Sequence, residues 1–189
     1  MNSDFFDLLS TWNLIRVSGF LSYFLLTFAI AAGLMNRLLC FQKQKPLMIE
    51  LHKVSGWTGL LTIIFHISLL LVDEYVPYSI LDIVIPFSAD NDPVFSGLGT
   101  ISLYLFLVTF ATSDFLMKKL GRTLWKKIHF LVIPAWILMV LHGIFIGTDT
   151  SQTWAAFVYV GSIILIMLLL TFRYLESQLG STKRKNASF

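Results

Sequence analysis

Charge is scarce in this chain. Only 13% of its 189 residues are Asp, Glu, Lys or Arg, against about 25% in ordinary soluble domains. With 56% of the residues apolar, that balance excludes a soluble globular fold. Cysteine is almost missing as well: Cys40 stands alone, so no internal disulfide can form and the redox compartment stays open. No glycine-rich phosphate loop follows a strand-like run, and no FAD or NAD(P) domain is expected in this chain. The opening MNSDFFDLLS has no basic residue, so a cleavable signal peptide is not expected. The formal charge of +3 does not point to nucleic acid, because the basic residues sit beside hydrophobic runs, as membrane topology requires.

Long apolar runs are what the chain has in abundance. They fall at about 12 to 35, 49 to 72, 96 to 117, 124 to 147 and 153 to 174, each near the ~20 residues that cross a hydrocarbon layer. The pattern predicts an all-α integral membrane bundle of five transmembrane helices, multi-pass in the cell membrane with lipid as its surroundings. Arg37, Lys43 and Lys45 lie between runs one and two, Lys118, Lys119 and Arg122 between three and four, and Lys183, Arg184 and Lys185 in the tail. These segments are expected to be cytoplasmic. The opposite segments carry Asp4, Asp7, Asp73, Glu74, Asp82, Asp90, Asp92 and Asp149 and no lysine or arginine. The N-terminus is therefore expected outside and the C-terminus in the cytoplasm. The apolar stretch SILDIVI, in the longest outer connection, is too short to span and is expected along the outer interface.

All four histidines fall inside the runs, His52 and His66 in the second, His129 and His142 in the fourth. Ionisable groups at membrane depth are rare and mark function. At ~1.5 Å per residue the members of each pair lie roughly 20 Å apart in depth. His52 and His129 then share a level near the cytoplasmic face, His66 and His142 one toward the outer face. Two histidines at one depth can give both axial ligands of a haem iron, and two levels make a two-haem wire. Fourteen residues at ~100° each leave His66 about 40° from the azimuth of His52, so both face one interior. Thirteen residues put His142 about 140° from His129 in an ideal helix. Pro134 lies between them, and a distorted turn around Ile133 to Trp136 is expected to bring both rings inward. Zinc suits the pattern less well, since each level offers two histidines and no thiolate or carboxylate beside them. A proton relay would mix histidine with buried carboxylates. Asp114, near the cytoplasmic end, is expected to pair with Lys118 four residues on.

Other residues have two readings each. Gly56 and Gly59 lie close to the azimuth of His52, where they either clear space for a macrocycle or let helices pack closely. Gly19 and Gly33, fourteen apart in the first run, offer the same clearance at both levels. Arg16 either meets a haem propionate or snorkels to outer headgroups. Trp136, between the two histidines of its run, fills the gap between levels or simply packs the core. No catalytic side chain is expected, because the chemistry would belong to the cofactor.

The segments HKVSGW from His52 and HFLVIPAWILMVLHG from His129 to Gly143 resemble the ferric reductase-like transmembrane domain of ferric reductases and NADPH oxidases. Arg16 at the outer start of the first run, TSD, and the LWKKIH stretch share the likeness. The bacterial haem subunit of the periplasmic methionine sulfoxide reductase system is a relative of the same type. The resemblance implies an inner b haem on His52 and His129, an outer one on His66 and His142, and Arg16 near the outer haem. Leu70 stands where the oxidases tend to have a further histidine. It also implies a division into an outer N-terminal segment 1–11, a transmembrane haem domain 12–175 and a basic cytoplasmic tail 176–189. The expected activity is that of an oxidoreductase, ferric reductase-like, carrying electrons from a cytoplasmic-side donor, a separate flavoprotein dehydrogenase partner or a quinol, to an outer acceptor. A quinol-linked cytochrome of the b561 or respiratory anchor type and a haem-free transporter or assembly protein are the alternatives.

Overall fold

The computed structural model describes residues 10–186, with side chains through residue 179. Asp4, Asp7 and the rest of the outer segment up to residue 9 lie outside the described residues, as do the side chains of Lys183, Arg184 and Lys185. The described chain is helical and contains no strand. Helix α1 runs Thr11–Met35, with the Ser10 side chain accepting from the Asn13 amide at its N-terminus. A 3-10 turn, Leu39–Gln44, leads into α2, Lys45–Leu70, which starts with a proline in its first turn, where no amide hydrogen is needed. The short α3, Ile80–Val84, carries a capping box between Ser79 and Asp82. There the Ser79 amide holds the exposed Asp82 carboxyl below its ordinary range. Helix α4, Pro93–Ala111, passes through a π turn, Thr112–Leu116, into α5, Met117–His129. Helix α6 is Val132–Ile146 and α7 is Thr153–Asn186.

Four stretches among the described residues are long and apolar enough to cross a membrane: Thr11–Met35, Leu39–Leu70, Pro93–Ile146 and Thr153–Leu179. The third, 54 residues long, would measure about 81 Å as a straight helix, far beyond a ~30 Å hydrocarbon core. It is folded back on itself instead. Gly121 takes φ 71° and ψ 159° within α5, a left-handed backbone that glycine adopts without a Cβ penalty. The two arms run antiparallel, with His142 against the Phe95 carbonyl and Ser102 bonded to the Ala135 carbonyl.

The expected distortion before His142 exists but lies earlier than Ile133 to Trp136. The helix breaks at Phe130 and Leu131, between α5 and α6. Pro134 has no amide hydrogen to give the Phe130 carbonyl four residues back, and its ring crowds that group. The carbonyl instead accepts from Ile133, and the Leu131 amide bonds Ile128, both three-residue closures. These tighter turns change the angular step between His129 and His142.

Helices α1 and α2 are antiparallel in a regular register, with Gly33 facing His52, Ala29 facing Gly56, Leu26 facing Gly59, and Gly19 facing His66. Helix α7 runs parallel to α1: Phe20 stacks near Trp154, Tyr23 bonds Ser162, and Glu176 accepts from the Leu39 amide. Helix α7 continues past residue 175, so the basic segment after it begins as helix. Helix α1 is the most enclosed of the long segments. Its small residues, among them Ser18, Ser22, Ala29, Ala31 and Ala32, are buried and allow close approach on several sides. The core gathers Tyr23, Leu26, Ile30, Phe106, Trp136, Val140, Tyr159 and Ile166. Large apolar side chains such as Phe24, Leu61, Phe65, Phe157 and Phe172 are turned outward, which suits lipid and would be untenable in water. The protein is a multi-pass membrane protein. Helix α3 lies against α4 through Thr100 to the Ile83 carbonyl and Tyr104 to the Val84 carbonyl, leaving Ile80 and Leu81 exposed.

Candidate functional site

Each histidine ring is seated by a neighbouring helix, and three of the four seats are built alike. His52 Nδ1 donates to the Ala29 carbonyl at 2.8 Å, His66 Nδ1 to Ile15 at 3.0 Å and His142 Nδ1 to Phe95 at 2.8 Å. Four residues beyond each carbonyl stands a glycine, Gly33, Gly19 and Gly99, and a Cβ on any of them would press on the imidazole. Four residues is one helical turn, so carbonyl and glycine lie on the same face. The bare glycine lets the ring reach a carbonyl that the helix would otherwise cover. Because a carbonyl can only accept, Nδ1 carries a proton in all three rings, and in the neutral tautomer this selects, the Nε2 lone pair is the one available to a metal.

The fourth seat differs. His129 Nδ1 meets the Ser113 hydroxyl at 3.1 Å, and the same oxygen accepts from Trp125 Nε1 at 3.2 Å. The Trp125 ring lies 5.2 Å from the imidazole, centroid to centroid. Ser113 belongs to the π turn, whose next residue, Asp114, accepts from Trp57 Nε1 at 2.8 Å. Asp114 thus ties α2 to the hairpin instead of pairing with Lys118.

The rings come together in two pairs. His52 and His129 face each other with centroids 5.9 Å apart and planes 67° apart. His66 and His142 line one cavity of about 470 Å³, within the range of ligand sites. Its wall includes Gly19, Tyr23, Gly99, Met139 and Tyr159. Between the two levels Trp136 is buried and donates from Nε1 to Thr27 at 2.8 Å.

Arg16 also lines the cavity, but its guanidinium fork is occupied by Asp149, with Nε to Oδ2 at 2.8 Å, and Nη1 reaches Asn13 at 3.2 Å. Asp149 belongs to the GTDT turn that ends α6, so the pair ties the start of α1 to the end of the hairpin. Gly56 and Gly59 do not touch a histidine: Gly56 faces Phe110 and Ala29, Gly59 faces Leu26 and Leu25. Both let α1 and α2 approach closely. Asp73 lines the cavity as well, buried, with one carboxylate oxygen bound by the Val76 amide and the other without a partner. No three His, Cys, Asp or Glu side chains among the described residues converge as a metal-ion group, so neither pair has the extra ligands zinc needs.

Gly99 carries no mark of its own in the sequence, while Ser113 and Trp125 stand there only within the TSD and LWKKIH motifs and Asp149 only as an outer acidic charge. A signal for two of them exists: Gly121 lies eight residues from both Ser113 and His129, and nearly midway between Gly99 and His142. A hairpin folded at that glycine sets each opposite its histidine.

Residues 18–140 match a family model described as ferric reductase like transmembrane component. No solved structure matches the chain.

Proposed function

This chain belongs to the ferric reductase-like transmembrane family, and from that premise we propose that it is a di-haem b cytochrome moving single electrons across the cell membrane. Membrane electron transfer and oxidoreductase activity in the broad sense come with the family. The proposal adds five crossings, made by α1, α2, the two arms of the hairpin and α7, with the N-terminus outside and the C-terminus in the cytoplasm. Parallel α1 and α7 with antiparallel neighbours support that count, and the basic residues gathered at one end support that orientation.

His52 and His129 would hold the inner haem, His66 and His142 the outer one. The observation that carries this assignment is the pair of facing imidazoles with Nδ1 already engaged. The ring centroids of His52 and His129 are 5.9 Å apart, close enough for the two imidazoles to hold one haem iron together. The outer pair borders a cavity of suitable size. Held by two histidines at each level, b haems would supply one-electron couples.

The chain's own part is placement and insulation. The Ala29, Ile15 and Phe95 carbonyls fix ring orientation and tautomer. Trp136, held by Thr27, and the fully buried Phe106 fill the space between levels and exclude water. Arg16 brings a positive charge to the outer cavity, where a propionate would need one, and Asp149 holds it in place. Gly56 and Gly59 bring α2 close enough to α1 for the His52 and His66 seats to form. The donor is a cytoplasmic-side flavoprotein or quinol and the acceptor lies outside.

The test is a dithionite-reduced minus oxidised spectrum of the purified protein with haem quantified per chain. About two b haems per chain are expected, falling to about one in His52→Ala and in His142→Ala. A preparation with no Soret band in wild-type membranes would overturn the proposal in favour of a haem-free protein.

A further inference from the structure

Three histidines rest on main-chain carbonyls, which no substitution removes, and at one of them, His66, the Ser18 hydroxyl also stands 3.3 Å from Nδ1 beside the carbonyl. The fourth, His129, rests on a side chain. We propose that Ser113 is the positioning residue of His129, fixing its ring and tautomer and thereby setting the potential of the inner haem separately from the outer one; this rests on the di-haem assignment above.

The geometry comes from the π turn. A π turn holds one residue more than an α turn and commonly marks functional positions. Here Thr112–Leu116 turns two consecutive side chains in different directions, Asp114 to Trp57 on α2 and Ser113 to His129 and Trp125 across the hairpin. For His129 to face His52 with Nε2 as a lone pair, Nδ1 must carry the proton and Ser113 Oγ must accept it. That oxygen already accepts from the Trp125 indole, which can only donate. Two lone pairs serve both donors, and the indole N–H stops the hydroxyl oxygen from turning away.

A hydrogen bond from Nδ1–H to an outer partner raises the basicity of a ligating imidazole. A more basic ligand favours the oxidised metal, so the bond lowers the potential. A hydroxyl shared between two donors is a weaker acceptor than a carbonyl, and His129 is therefore the least basic of the four ligands. Removing Ser113 weakens it further and shifts the inner potential upward only.

The experiment is a redox titration of the full-length, haem-loaded protein, followed by optical spectrum and by low-spin ferric electron paramagnetic resonance. It compares wild type with Ser113→Ala, Ser113→Thr and Trp125→Phe. Ser113→Ala is expected to raise the reduced-to-oxidised ratio of one haem by up to about tenfold at fixed potential, ~59 mV for a one-electron couple, and to change that haem's resonance signal alone. Ser113→Thr restores both. Trp125→Phe, which keeps the bulk and removes the indole donor, moves the same haem by less. If Ser113→Ala binds too little haem to titrate, Trp125→Phe and Ser113→Thr decide. Unchanged potentials in the titratable variants, equal movement of both haems, or failure of threonine to restore would overturn the proposal. Absence of haem from the wild type overturns the di-haem assignment instead, and the two failures are read from different samples.

Discussion

An alanine at position 99 would set its Cβ 2.6 Å from His142 Nδ1, against 3.3 Å from the His66 ring for an alanine at position 19. The first distance forces the imidazole out of its seat, while the second asks for a shift of a few tenths of an ångström. Overpacking of that kind costs about 1–3 kcal/mol, and a displaced ring also loses its bond to Phe95. On the di-haem proposal, Gly99→Ala is therefore expected to lose most of the haem of the outer level and to lower the melting temperature in detergent, with Gly19→Ala clearly milder. Haem per chain and a thermal ramp check the order, and equal effects would mean that the glycines are ordinary packing positions. At this scale the histidines were legible in the sequence because ionisable groups at membrane depth are costly and few. Two of their seats were legible too, since the fourteen-residue spacing of Gly19 and Gly33 matches the two levels and these glycines face His66 and His52; Gly99 and Ser113 were not, since glycine and serine are common in membrane helices and carry no mark of what faces them.

Helices fix where those residues point. Periodicity placed His52 and His66 on one face of α2 because that helix is regular between them. The fourth run defeated the same arithmetic: thirteen residues of ideal helix would splay its two histidines, and a break at Phe130 and Leu131 interrupts the helix between them. Proline explains that a break must occur, and because the lost bond belongs to the carbonyl four residues earlier, the distortion falls ahead of the turn that holds Pro134. Pro134→Ala restores an amide for Phe130 and lets the helix run straight. The expected result is a swing of His142 relative to His129 and a fall from about two haems per chain toward one, with the helical content by circular dichroism unchanged or slightly higher. Two full haems in that variant would show that the break does not orient the rings.

For the whole molecule, topology is the quantity to test, and the chain carries its own probe. Cys40 is the sole cysteine and is exposed, in the connection between α1 and α2. With the N-terminus outside, that connection faces the cytoplasm. A membrane-impermeant maleimide is expected to label Cys40 in inverted vesicles and not in intact cells, with no mutation needed. Labelling from the outer side would reverse the orientation and exchange the inner and outer assignments of the two histidine levels. Five apolar runs were visible in the sequence, but their length cannot distinguish a crossing from a buried segment. The parallel course of α1 and α7 argues for an odd number of crossings.

Composition and spacing alone determined that this is a helical membrane protein with four histidines at two depths, because the cost of burying charge in hydrocarbon and the fixed rise of a helix act on the chain locally. Tertiary structure decided what holds those histidines, among them the Phe95 carbonyl beside Gly99 and the Ser113 hydroxyl, both facing the second arm of the hairpin, and it set Asp149 against Arg16. Such contacts join positions far apart in the chain, and they depend on where Gly121 reverses it and where Pro134 breaks the returning helix.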